Sequence, residues 1–190
     1  MGRIDNSMSL LDILLIGVAL SMDAAAVSMT NGMVYKNMDR LTYAAMPVFF
    51  GAFQAFMPVI GYYAGGLFYD IITAYSGIVI FVILGVIGGK MIKEGIDDLR
   101  NNEVCPGRMM NIKILFFQAV ATSIDAFAVG ISFSAAGMSI LMPAVIIGVT
   151  TALIVISAIM IGRKFGNMLG CRAEILGGAI LVIIGIKALL

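Results

Sequence analysis

The chain has 190 residues, 61% hydrophobic and only 12% charged, with a formal net charge of +1, two cysteines and no histidine. A soluble domain has about a quarter of its residues charged, so this composition excludes an ordinary soluble protein and predicts an integral membrane protein. The near-neutral charge offers nothing to nucleic acid, and without histidine an imidazole metal site or proton relay is excluded.

Continuous apolar runs of about 20 residues predict membrane helices, not the short alternating strands of a barrel. Six are expected, at 10–30, 43–63, 71–91, 112–134, 140–161 and 173–190. The N-terminal MGRIDNSMSLLD is polar rather than basic, and no small-residue cleavage site follows, so the first run is expected to remain as a helix. That run contains SMDAAAVS, with Asp23 about halfway across. An aspartate at a bilayer centre costs about 2.5–3.5 kcal/mol, so it needs a partner, a cavity or a proton. The second run contains GAFQAFMPVIG. Gln54 is an amide in apolar surroundings, Met57 follows one turn on, and Pro58 is expected to free a backbone carbonyl one turn earlier. Glu94 closes the third run and opens the polar stretch 94–111. The fourth run contains ATSIDAFAVGIS, with Asp125. The fifth carries Thr150 and Thr151, and Glu174 opens the sixth.

Lysine and arginine cluster in alternate connectors. Lys36 and Arg40 follow the first span. Lys90, Lys93, Arg100, Arg108 and Lys113 surround the central stretch, and Arg163, Lys164 and Arg172 follow the fifth. LFYD and AAGMS, after the second and fourth spans, have none. Positive charge stays cytoplasmic, so both termini are expected outside, with Lys187 snorkelling at the far end. Cys105 and Cys171, not in CxxC spacing, are then expected to be unrelated reduced thiols facing the cytoplasm.

The two halves repeat. ALSMDAAAVSMT (19–30) matches ATSIDAFAVGIS (121–132) at an offset of 102, including the rarer SxDA. Gly61 and Gly65 match Gly162 and Gly166 at 101, and Gly77, Ile80, Val82, Ile83 and Gly85 match Gly177, Ile180, Val182, Ile183 and Gly185 at 100. Three is an odd number of crossings, so the second unit enters from the opposite face. The predicted fold is an all-α membrane protein of six transmembrane helices, built as two inverted three-helix repeats. Residues 10–93 and 112–190 form the repeats, joined by a cytoplasmic linker at 94–111. Such repeats place binding sites near the midplane at their interface, so Asp23 and Asp125 are expected as neighbours. Two carboxylates in low dielectric must share a proton or bind a cation.

On a helix, residues three, four and seven apart share a face. Thr30 and Ala26 accompany Asp23; Gln118, Thr122 and Ser132 accompany Asp125. The candidate ion ligands are therefore Asp23, Asp125, Gln54, Thr122, Thr30 and Ser132, with Met22 and Met57 as possible thioether donors among 15 methionines. Secondary candidates are Ser21, Ser123, Gln118, Thr151 and Glu174. Ser21 and Ser123 point off the aspartate face unless the helix is locally unwound, and are expected to bond the i−4 carbonyl. This oxygen-rich donor set suits Mn²⁺, Mg²⁺ or Ca²⁺.

SMDAAAVS, FGAFQAFMPVIGYYAGG, ILGVIGGKMIKEG, ATSIDAFAVGIS and CRAEILGG, in that order over about residues 10–190, resemble the MntP-type manganese efflux pump family of bacteria, in the wider LysE-type exporter group. The resemblance implies six transmembrane helices, a multi-pass protein of the bacterial inner membrane, and export of Mn²⁺ from the cytoplasm. It carries the family's two membrane aspartates onto Asp23 and Asp125. No cofactor is expected, since the ion is cargo; the partners are Mn²⁺, exchanged protons and the lipid bilayer. The family pattern has glutamate where this chain has Gln54, which leaves two acidic membrane centres rather than three. An exporter of another divalent cation or a small amine would use similar features. An intramembrane aspartyl protease also pairs two aspartates, but requires YD and GxGD flanks. Here the flanks are SMDA and SIDA, and the one YD, Tyr69-Asp70, lies at an expected external edge. A non-transporting scaffold would need neither the duplication nor the paired acids.

Overall fold

The computed structural model describes residues 9–35, 39–64, 69–100, 110–169 and 172–189, with 69–74 described as backbone alone. Cys105, Cys171, Lys36, Arg108 and the rest of 101–109 in the central stretch lie outside the described residues. All regular structure among the described residues is helical: α1 (Leu10–Val34), α2 (Arg40–Ala64), α3 (Tyr69–Arg100), α4 (Ile112–Thr122), α5 (Ile124–Ala135), α6 (Leu141–Leu169) and α7 (Arg172–Lys187). The segments α4 and α5 form one crossing interrupted at Ser123, so the chain makes a six-helix bundle.

The helix ends follow local chemistry. Ser9 caps α1 in a reciprocal box with Asp12, which satisfies two otherwise unpaired N–H groups. Before α2, the Asp39 carboxylate accepts the Thr42 N–H at 3.1 Å, and hydrogen bonds from Thr42 hold its carboxyl below the usual range. Asn111 caps α4 through the Lys113 N–H at 2.9 Å. Gly137, at φ 67°, turns the chain out of α5, a conformation that favours glycine.

Several expected boundaries move: the first span, expected to end at 30, runs to Val34, and the fifth, expected to end at 161, runs to Leu169. The third span, expected to end at 91, continues to Arg100. Lys90 and Glu94 pair across one turn of it at 3.8 Å, so part of the polar stretch extends α3. The fourth span, expected as one helix over 112–134, breaks at Ser123, whose φ −108° and ψ 1° are not helical. The sixth, expected over 173–190, is the 16-residue α7, and it ends in turn bonds from Ala188 and Leu189. Sixteen residues rise about 24 Å, short of the roughly 30 Å hydrocarbon core. The other five crossings are long and apolar enough to span a membrane.

The exterior is apolar: Leu11, Leu41, Val86, Leu141 and Val145 are all exposed, as a lipid solvent requires. The core holds Met46, Phe50, Leu84, Leu115, Ile159 and Leu181. Helix α1 packs along α6, α2 along both α6 and α5, and α3 along α7, with lesser contacts between α1 and α7 and between α3 and α4. Exchanging α1 with α4–α5, α2 with α6 and α3 with α7 maps these pairings onto one another, a pattern consistent with an inverted three-helix repeat.

Glycine sets the closest crossings. A methyl group on Gly61 would strike the Phe127 carbonyl, and one on Gly130 the Pro58 carbonyl, so α2 and α5 touch backbone to backbone. A methyl on Gly162 would strike the Met29 carbonyl, and one on Gly32 would meet the Ile159 carbonyl at 2.6 Å. Small residues permit this approach where packing, not hydrophobic exclusion, joins helices. The two crossings are not in the same register. Asp23 precedes its crossing glycine, Gly32, by nine residues, whereas Asp125 precedes Gly130 by five. The difference is one helical turn, about 6 Å.

Candidate functional site

Asp23 and Asp125 open into one cavity of about 250 Å³. Its walls come from α1, α3, α4–α5 and α7, and its polar lining is Asp23, Asp125, Thr122, Ser76 and Lys187. Both aspartates are exposed to that cavity rather than packed in protein. It extends to Lys187 and Ala188 at the end of α7 and to Ser76 near the start of α3, so it faces the end of the bundle that carries the termini.

The broken crossing shapes one wall. At Ser123 the chain leaves the helix; the Ser123 N–H and hydroxyl both bond the Val120 carbonyl, at 3.2 and 3.1 Å. Asp125 therefore sits in the first turn of a new helix, where its carboxylate accepts the Ala126 N–H at 2.8 Å. The repeat equivalent Ser21 lies in an unbroken helix, with its hydroxyl on the Val18 carbonyl at 2.8 Å. Both serines thus bond the i−3 carbonyl, not the i−4 carbonyl expected from sequence. A half-helix start beside a half-helix end supplies N–H and C=O groups at membrane depth, as in other ion-binding broken helices. The Thr122 hydroxyl donates to the Gln118 and Ala119 carbonyls, at 3.0 and 3.3 Å, and its oxygen lone pairs remain for a cation.

The other sequence candidates lie elsewhere. Gln54 is buried and its Nε2 donates to the Leu20 carbonyl at 2.7 Å, tying α2 to α1. Its Oε1 and the buried Thr151 and Thr30 hydroxyl oxygens make no hydrogen bond. Thr30 packs toward α7 near Gly177. Ser132 donates to the Ala128 carbonyl at 3.0 Å. Met22 is exposed, and Met57 lines a separate, apolar cavity with Tyr75 and Phe127. Glu174 lines a third cavity of about 520 Å³ with Glu94 and Lys90, toward the opposite end of the bundle. Gln118 is fully buried and bonded to Asn31.

Sequence reasoning missed three residues. Lys187 lines the aspartate cavity. A lone cation in an otherwise apolar tail was the available signal, because intramembrane charges seek partners. Ser76 had no such signal, and Asn31 lies just past the expected end of the first span, at 30. Among the described residues no three acidic or thiol side chains converge, so an ion here would be held by two carboxylates, hydroxyl oxygens and water.

The model of the Mntp family, described as “Putative manganese efflux pump”, matches residues 36–189. The chain belongs to this family. A manganese efflux pump homologue of Ruminiclostridium cellulolyticum is 44% identical over 180 residues, covering 95% of each chain. One from Methanobrevibacter smithii is 44% identical over 182 residues, covering 96% of this chain and 97% of its own. A Clostridium botulinum relative is 43% identical over 188 residues. No solved structure matches the chain. Membership of an efflux pump family makes the chain a transporter rather than an enzyme.

Proposed function

We propose that the chain exports Mn²⁺ across the cell membrane by alternating access, with the two halves acting as inverted repeats and the aspartate pair as the moving site. Manganese export follows from the family. The observation that carries the mechanism is the shared cavity, because repeat-equivalent carboxylates from both halves meet there. Asp23 and Asp125 bind the ion, and the Thr122 and Ser76 hydroxyls with water fill a roughly octahedral shell. Hard oxygen donors suit Mn²⁺.

Binding needs both carboxylates ionised, so it expels protons held by the pair. Reprotonation on the far side, favoured by repulsion between the emptied carboxylates, releases the ion and resets the pump as a proton antiporter. The basic connectors put both termini outside. Tyr43, opening α2, stacks under Arg163, closing α6, at 5.2 Å, which supports a common side for those two connectors. With this orientation the aspartate cavity faces outward and the Glu174 cavity inward.

The test is Mn²⁺, Mg²⁺ and Ca²⁺ uptake into inverted vesicles, with and without a proton gradient. Mn²⁺ uptake should dominate and should collapse with the gradient. Uptake of another divalent ion in its place, or flux indifferent to the gradient, overturns the selectivity or the coupling respectively.

A further inference from the structure

The aspartate cavity and the Glu174 cavity share the same four walls. Along α3, Ser76 and Leu84 face the first and Ile87, Lys90 and Glu94 face the second. The two are therefore stacked end to end along one path, and something must separate them. Between them Asn31 of α1 meets Gln118 of α4. Asn31 Nδ2 donates to Gln118 Oε1 at 2.7 Å, and Gln118 Nε2 donates back to Asn31 Oδ1 at 3.2 Å. Both side chains are fully buried. Asn31 lies eight residues beyond Asp23 and Gln118 seven before Asp125, so the pair sits about two helical turns, about 11 Å, below the carboxylates. Leu84 of α3 and Leu181 of α7 are also fully buried.

We infer that the Asn31–Gln118 pair is the closed gate of the ion path, held shut in this conformation. The inference rests on the alternating-access proposal above and adds the residues that block one side. A carboxamide carries both a donor and an acceptor, so two of them satisfy each other without charge. The pair links the leading helices of the two halves, and separating those helices must break it. It resists opening because unpaired buried amides are costly. It can yield to a cation because each amide oxygen is also a hard ligand. Once the mutual bonds break, both oxygens are free to face a passing Mn²⁺ while water enters from the Glu174 cavity.

The test reads sidedness and needs no manganese. In a Cys105→Ser, Cys171→Ser background, Ile80→Cys places a thiol in the aspartate cavity. A charged, membrane-impermeant thiol reagent is applied to either face of oriented vesicles. With the pair intact, labelling should come from one face only. With Asn31→Ala and Gln118→Ala, labelling from the second face should rise at least tenfold at equal protein abundance. The exchanged pair Asn31→Gln with Gln118→Asn retains both amides and should restore one-sided labelling, which also serves if the alanine protein does not fold. Two-sided labelling with the pair intact, or one-sided labelling in the folded alanine variant, overturns the gate. Loss of manganese selectivity with the labelling pattern unchanged would instead count against the transport proposal alone.

Discussion

Asp23 and Asp125 act as one unit if they hold one ion, and that dictates how their variants combine. Asp23→Asn and Asp125→Asn each keep size and hydrogen bonding but lose the charge and the exchangeable proton. Each should lower Mn²⁺ export by roughly two orders of magnitude, and the double variant should fall no further, because coupled residues are not additive. Efflux at matched membrane abundance checks this, and near-normal export by either single variant would sink the paired site. Lys187 would work against an ion held there. The residue lines the same cavity, and like charges a few ångströms apart repel by about 1 kcal/mol even in water. Lys187→Met should therefore tighten Mn²⁺ binding by about three- to tenfold and slow release on the side where the cavity is open. Equilibrium binding and single-turnover efflux separate the two effects. Unchanged affinity would mean that the ammonium points into water.

Helix contacts explain why glycine replacements should differ sharply by position. At Gly162 a methyl group meets the Met29 carbonyl, whereas at Gly85 no atom stands within 4 Å of the added carbon. Gly162→Ala should destabilise the protein by roughly 1–3 kcal/mol through overpacking. Gly85→Ala should be neutral or slightly stabilising, since alanine is the better helix former. Thermal unfolding in detergent compares them directly, and equal melting temperatures would show that α1 and α6 separate without cost. Helix identity was legible in the sequence because long apolar runs leave little choice. The paired aspartates were legible because charge is rare in such runs and SxDA recurs at a fixed offset. The break at Ser123 was not, because serine is tolerated inside membrane helices and only tertiary contacts decide whether the backbone stays bonded there. The short α7 was hidden for a related reason: its last residues are as apolar as its core, so hydropathy continues where the helix stops. Asn31 and Gln118 stand 87 residues apart, outside the repeat pairing, and no local pattern joins them.

The contacts of the molecule as a whole are consistent with an imperfect pair of inverted halves, and the imperfection lies in the crossing register. Asp23 stands nine residues from its crossing glycine and Asp125 five from its own. Sequence spacing is covalent and cannot change, so an exchange of roles between the halves must change which residue sits at each crossing. The repeat offset names the replacements: Ser28 would take the seat of Gly32 over Ile159, and Ser134 the seat of Gly130 over Pro58. Both are small enough for helices to pass closely. If the halves exchange roles in this way, transport would resemble an escapement, with α1 and α5 each slipping one tooth in opposite senses and the ion travelling about one turn. One-turn ratchets between packed helices are an established mode of switching. Ser134 is only partly buried in the present conformation, so Ser134→Leu should leave the folded protein and its outer cavity intact. It should nevertheless jam the movement, cutting export at least tenfold while Mn²⁺ binding survives. Export at the normal rate would mean that the tooth is somewhere else.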